Sequence, residues 1–263
     1  MSAALNSALL EVADAAVDLV TDRVAKSSAD PDLAIDTKSS RTDMVTDMDR
    51  WVEHTLVQSI SAARPGDGFL GEEGTSSAST TGVTWIIDPI DGTTNFVYDI
   101  PGYSISVAAS IDGSVVAGIV HDPVRSERFR ATLSGGATRN DEAIRVSTPL
   151  NLATSLVATG FSYQSERRRA QAKVLEHVLP AVRDIRRFGG AALDLCSLAC
   201  GRVDAYYERG LQPWDLAAGA LIATEAGATV DVHDADDGAL IGASPSIFSD
   251  FSELISESGA HLA

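Results

Sequence analysis

Trp85-Ile86-Ile87-Asp88-Pro89-Ile90-Asp91-Gly92-Thr93-Thr94-Asn95-Phe96 is the stretch that decides how this 263-residue chain is read. A β-like apolar run leads into a proline, which cannot donate to a sheet ladder, so the strand is expected to end there. Two carboxylates three residues apart can then face one point, and Pro89 frees the Ile90 carbonyl beside them. Oxygen ligands at that spacing suit a hard cation such as magnesium, whose octahedral shell takes carboxylates, carbonyls and water. The plain alternative is that Asp88 and Asp91 only make a turn or a helix cap. Next, Gly92-Thr93-Thr94 reads as the start of a helix or turn. Unpaired N–H groups there bind phosphate oxygens, and a threonine cap is the alternative.

Two weaker signals flank this one. Upstream, Gly71-Glu72-Glu73-Gly74 places carboxylates between glycines at the end of a short apolar run, where the backbone can turn sharply; alone it reads more readily as a solvated loop. Downstream, Pro213-Trp214-Asp215-Leu216-Ala217-Ala218-Gly219 sets an aspartate near a helix start, where capping is the ordinary explanation. Each gains force from the other and from the aspartate pair.

Around these motifs two helices open the chain, the middle reads as a sheet with hairpin connections, and the second half alternates helix and strand. Leu5, Leu9, Val12, Ala16 and Leu19 follow helical spacing, and a second helix is expected from about Thr46 through Trp51, Val52, Leu56 and Ile60. Residues 36–43 between them are polar and suit an exposed loop able to act as a lid. Strands are expected at Phe69-Leu70 and at residues 83–87, 104–111 and 115–121, the last two joined by an Asp112-Gly113 turn. Helices over 166–182, 191–199 and 217–226 precede a strand at 229–232. With neither repeats nor low-complexity linkers, two halves, 1–150 and 151–263, are expected to pack as α/β layers of one globule.

Bulk properties exclude several function classes. A formal net charge of -17 argues against nucleic acid, whose phosphates need clustered Lys and Arg. The dense basic runs, Arg167-Arg168-Arg169 and Arg183 with Arg186-Arg187, read as a solvated helix face or a subunit contact. No run of about 20 apolar residues is free of charge, so no membrane-spanning helix is expected. The opening residues lack the basic segment of a signal peptide, which points to the cytoplasm. Cys196 and Cys200, four apart in a helical pattern, read as reduced core thiols. A zinc pair would need a second Cys or His pair nearby.

In this order and spacing, Gly71-Glu72-Glu73, residues 85–96 and Trp214-Asp215 resemble the inositol monophosphatase family over nearly the whole chain. Gly189-Gly190-Ala191-Ala192-Leu193-Asp194-Leu195-Cys196 and Asp204-Ala205-Tyr206-Tyr207-Glu208 resemble its bacterial SuhB-like branch. The resemblance implies an α/β (α+β) fold, a layered αβαβα sandwich, and a magnesium-dependent phosphomonoesterase acting on a small sugar or polyol phosphate, inositol monophosphate foremost. By the same resemblance, Glu72, Asp88 and the Ile90 carbonyl would hold one Mg2+. Asp88, Asp91 and Asp215 would hold a second, with a weaker third near Glu72. Glu72 and Thr93 would help activate water. Gly92 and Thr93 would take the phosphate, and Gly190, Ala191 and Glu208 would line the substrate pocket. Lys38, with Asp43 and Asp49 after it, would belong to a mobile loop covering the site. A homodimer is also implied.

The chain departs from the family where Asn140-Asp141 replaces a hairpin Asn-Gly and where Gly190 stands for a common Thr or Ser. Thr94, in place of a Lys common in other branches, and Glu208 with its preceding tyrosines favour inositol over histidinol phosphate, fructose 1,6-bisphosphate or adenosine 3',5'-bisphosphate. SuhB-like proteins also imply an alternative role as accessory partners of transcription and ribosome assembly.

Overall fold

A computed structural model of the chain describes residues 2–28, 34–38, 44–233 and 239–259. The chain opens with α1 (Ala3–Ser27), and a short β1–β2 pair (Ile35–Thr37, Met44–Thr46) leads into α2 (Asp47–Ala63). Thr46 starts α2 with a capping box. Its hydroxyl accepts from the Met48 and Asp49 N–H groups, while the Asp49 carboxylate accepts from the Thr46 N–H. Leu9, Ala13, Ala16, Val17 and Val20 of α1 are buried. Leu19, read as part of the apolar stripe, is 58% exposed, because the buried face runs through Val20 and Val24 instead.

The first sheet takes in β3 (Gly68–Gly71), β4 (Ser76–Ser77), β5 (Val83–Asp91), β6 (Ser104–Ile111), β7 (Ser114–Asp122), β8 (Glu127–Thr132), β9 (Gly136–Arg139) and β10 (Glu142–Ala143). Its order is β10-β9-β8-β7-β6-β5-β3-β4, with only β3 and β5 parallel. The short α3 (Thr93–Val97) follows β5 at once. Asp112 (φ 49) and Gly113 (φ 84) make the tight β6–β7 turn as read from sequence. Asn140 and Asp141 take up positive φ at the β9–β10 turn, so the missing glycine is met by two residues that tolerate that conformation.

The strand through the aspartates does not stop at Pro89. β5 runs on to Asp91, with a register shift against β6 between Asp88 and Asp91. Pro89 falls inside that bulge, where no ladder bond is asked of it. The bulge gathers the two carboxylates.

The second sheet joins β11 (Leu156–Thr159), β12 (Asp184–Arg186), β13 (Ala205–Glu208), β14 (Thr229–His233) and β15 (Ala239–Ala243) in the order β12-β11-β13-β15-β14. Between the sheets lie α5 (Ala191–Ala199) and α6 (Pro213–Glu225), and outside them α4 (Ser165–Ala181) and α7 (Phe248–Glu257). Three apolar cores follow from this layering. One, with Val52, Leu56, Trp85 and Ile105, seals α1 and α2 onto the first sheet. A second, with Leu195, Ala218, Ile222, Val120 and Tyr206, fills the space between the sheets. The third, with Val174, Val178, Phe251 and Ile255, closes the outer face of the second sheet. The fold is a five-layer αβαβα sandwich. Both cysteines are free thiols on α5 and at its end, Cys196 buried, and no helix among the described residues is long and apolar enough to cross a membrane.

Candidate active site

Lys38, Glu72, Asp91, Gly92, Ala191, Glu208 and Asp215 border one cavity of about 450 Å³. Asp88 (2% exposed) and the fully buried Ile90 lie behind them on β5. The motifs read separately along the sequence therefore converge on one place. Asp43 lies outside the described residues.

Asp91 is held from the other half of the chain. Its Oδ1 accepts from the Ala191 N–H (3.2 Å) and its Oδ2 from the Ala192 N–H (2.8 Å), the first turn of α5. A Cβ on Gly190 would meet Asp91 Oδ2 at 2.8 Å, so the bare glycine leaves the carboxylate its place. Gly92 has φ +86, and a Cβ there would stand 2.8 Å from the Gly102 carbonyl oxygen. That position needs glycine on both counts.

The acidic groups raise one another's pKa. Burial first, then Glu72, Asp91 and Asp215 nearby, push the Asp88 carboxyl well above the usual carboxylate range. Burial likewise raises Asp91 to about 7, although the two α5 N–H groups pull it down. Asp215 is raised well above its ordinary value by burial, then lowered by the Gln212 N–H, which donates to its Oδ2 at 2.6 Å. Asp194, 1% exposed, is raised by burial and by Glu208 and Asp91. Glu208 is raised by burial against the pull of the Tyr206 hydroxyl, which donates to its Oε2 at 2.7 Å.

Lys38 brings a positive charge to the glutamates, with Nζ 2.8 Å from Glu72 Oε1 and 2.5 Å from Glu73 Oε1. Burial opposes its charge, yet the two glutamates hold its pKa above the ordinary lysine value. Asp49, expected beside Lys38 in a covering loop, instead sits fully buried in the first turn of α2. Its Oδ1 accepts from the Thr93 hydroxyl at 3.3 Å, and Thr93 Oγ1 also lies 3.0 Å from the Ile90 carbonyl. Burial lifts Asp49 to about 6. The capping-box spacing Thr46-x-x-Asp49 is the sequence signal that places it on the helix.

Three site residues escaped the sequence reading. Glu53 on α2 is buried, and its carboxylate accepts from the Glu73 N–H (2.8 Å) and the Thr75 N–H (3.1 Å), pinning the loop that carries Glu72. A Cβ on Gly71 would collide with the Glu53 carboxylate, so Gly71 makes room for that brace. Asn95 donates to the Gly102 (2.8 Å) and Phe188 (2.7 Å) carbonyls, tying α3 to the segment before α5. Gly160 leaves space for the Glu208 carboxylate, which a Cβ there would overlap.

The donor set fits divalent magnesium. The ligand candidates are all hard oxygens, Asp88 Oδ1 is buried with no hydrogen-bond partner among the described residues, and the crowded carboxylates raise one another, which a cation would reverse. Among the described residues no three His, Cys, Asp or Glu side chains stand together closely enough to hold a metal ion as they are.

Sequence comparison matches residues 5–256 to the inositol monophosphatase family. The chain belongs to that family. The inositol-1-monophosphatase SuhB of Mycobacterium tuberculosis is 49% identical over 212 residues, which cover 77% of this chain and 73% of that relative. A protein called Nus factor SuhB from Xylella fastidiosa is 41% identical over 201 residues, 76% of this chain and 73% of that one. The crystal structure of the extragenic suppressor protein SuhB from Bartonella henselae matches with a TM-score of 0.88 at 33% identity, over 94% of this chain and 98% of that one. The αβαβα sandwich is thus the inositol monophosphatase fold, and the protein is a phosphatase of the inositol monophosphatase type.

Proposed function

We propose that this protein is a magnesium-dependent phosphomonoesterase that hydrolyses myo-inositol monophosphate to inositol and phosphate. The observation that carries the reading is the gathering of Glu72, Asp91 and Asp215 at one cavity, held by Lys38, by the Ala191 and Ala192 N–H groups and by the Gln212 N–H, with the unpartnered, buried Asp88 carboxylate beside them. A dianionic phosphate among such carboxylates would meet roughly 4 kcal/mol of repulsion per close pair at an effective dielectric near 20. Bound Mg2+ supplies the opposing charge and lowers the pKa of water. Glu72, Asp88 and the Ile90 carbonyl would hold one ion and Asp88, Asp91 and Asp215 a second, with a weaker third beside Glu72.

The chain's own groups do the rest. Thr93 Oγ1, its proton directed at the Ile90 carbonyl or at Asp49, keeps a lone pair to accept a hydrogen bond from the attacking water. Asp49, buried behind it, is placed to take up the proton. Gly92 admits the phosphate close to the backbone at the start of α3. Glu208, steadied by the Tyr206 hydroxyl, and the Ala191 end of α5 would face the polyol hydroxyls. Lys38 would hold Glu72 and Glu73 in the absence of metal. The exposed side chains of Tyr98, Ile100 and Phe188 flank the segments that Asn95 ties together, an apolar surface that a homodimer contact would cover.

Phosphate release from inositol 1-phosphate, histidinol phosphate, fructose 1,6-bisphosphate and adenosine 3',5'-bisphosphate, each with magnesium, tests the substrate reading. Inositol phosphate should lead. Another leading substrate would overturn the pocket assignment. The relative named Nus factor SuhB supports a second reading, a protein-binding role, and it becomes the better account if no substrate turns over.

A further inference from the structure

A second cavity, of about 340 Å³, adjoins the first. It opens where α4 and α7 cover the outer face of the second sheet, with Gln171 on α4 and Ser252 on α7 among its walls. Val174, Tyr207, Ile241 and Ile255 line it and belong to the third apolar core, so that core is incomplete at this point. Packed interiors leave few voids larger than a water molecule, whereas sites for small molecules begin at about 300 Å³.

One end of this apolar cavity is polar. Thr159, at the end of β11, is 1% exposed, and its Oγ1 is buried with no hydrogen bond of ordinary geometry among the described residues. Tyr207, its register partner on β13, stands close by: burial pushes the Tyr207 hydroxyl up to about 12, and Thr159 draws it partway back. A hydroxyl donates one hydrogen bond and accepts two, and leaving it buried and unmatched is unfavourable. A ligand hydroxyl placed between these two would match both. Glu208 and Arg209, consecutive and opposite in charge, border the same cavity, so it asks for no net charge on its occupant. Gly160, Phe161, Glu208 and Arg209 border the first cavity as well. Glu208, held by the Tyr206 hydroxyl, therefore stands in the partition between the two.

Resting on the phosphatase reading for its effect, we infer that the second cavity is an effector site for a neutral, largely apolar phenol or small alcohol. Its hydroxyl bonds to Thr159 and Tyr207, and its body steadies the partition that carries Glu208, so that a polyol phosphate binds more tightly. Filling the void restores the contacts its lining lacks, and a partition already ordered asks less of the substrate on binding. The coupling is reciprocal, so substrate tightens the effector by the same factor.

The test uses p-cresol and toluene, the same ring with and without the hydroxyl. Calorimetry measures their binding to the parent, to Thr159→Val and to Ser252→Phe, which fills the cavity from α7. KM for myo-inositol 1-phosphate at saturating magnesium is then measured with and without p-cresol. In the parent, p-cresol should saturate one site per chain at least fivefold more tightly than toluene. Thr159→Val should erase that difference and Ser252→Phe should abolish both. Saturating p-cresol should lower the parent's KM at least twofold, with no such fall in either variant. If Ser252→Phe does not fold, Thr159→Val, which keeps the shape of the wall, carries the test. No saturable binding to the parent, or equal p-cresol affinity in the parent and Thr159→Val, overturns the site. Binding with KM unmoved or raised overturns the effect on substrate alone. A parent that turns over no substrate overturns the phosphatase reading and the effector role with it, and calorimetry then decides the site by itself.

Discussion

Replacing Glu53 with Gln should loosen the loop that carries Glu72 while keeping the volume Glu53 fills. The native carboxylate accepts two backbone N–H groups, from Glu73 at 2.8 Å and Thr75 at 3.1 Å. The amide keeps one acceptor oxygen and turns an NH2 toward the other N–H, leaving a buried donor without a partner. That costs about 1–3 kcal/mol, which in a chain of this size lowers Tm by roughly 2–8 °C. Because the same two bonds fix the backbone beside Glu72, the magnesium concentration for half-maximal phosphate release should rise severalfold. Thermal unfolding in chelator gives the first number and a magnesium titration of activity the second. A lower Tm with unaltered magnesium dependence would reduce Glu53 to a structural brace. If neither changes, the reasoning fails.

Asp91→Asn should abolish phosphate release yet leave the protein folded. Burial raises the Asp91 carboxyl to about 7, so its ionised form weakens the metal-free fold above the usual carboxylate pKa. Asn relieves that but turns an NH2 toward one of the two α5 N–H groups. The effects oppose, so Tm in chelator should change little; full activity would refute the assignment. Gly92→Ala should cost about 2–4 kcal/mol, from a left-handed φ and overpacking against the Gly102 carbonyl, read by chemical denaturation, with loss of turnover. His121, buried on β7, is lowered to about 4 by burial and by Arg128. A group harder to protonate when folded gives stability that is complete above pH 6.5 and lost as pH falls toward 4. The parent should lose about 3 kcal/mol over that window relative to His121→Asn, and parallel pH profiles for the two proteins would contradict this.

The most legible part of the site was the segment that carries its own chemistry. Residues 85–96 announced a strand end, two carboxylates and a glycine turn within twelve positions, and the structure keeps them together, although Pro89 sits in a bulge instead of ending β5. The β6–β7 hairpin and the helices α4 and α5 followed from local spacing and turn residues. The short strands β8–β13 and β15 carried too little pattern to declare themselves, because their pairing is decided by partners distant in sequence. Glu53 was hidden for a related reason: on a helix it reads as a solvated charge. Its partners are N–H groups twenty and twenty-two residues away. Asp49 and Glu53 do share a buried stripe with Val52, Leu56 and Ile60, and charges on such a stripe are the signal that could have found them.

Phosphate release from myo-inositol 1-phosphate by chelator-treated protein, followed as MgCl2 is added back, tests the central claim most directly. The account predicts no release in chelator and a saturable recovery with magnesium. Release that is indifferent to chelator, or none at any magnesium concentration, would contradict it.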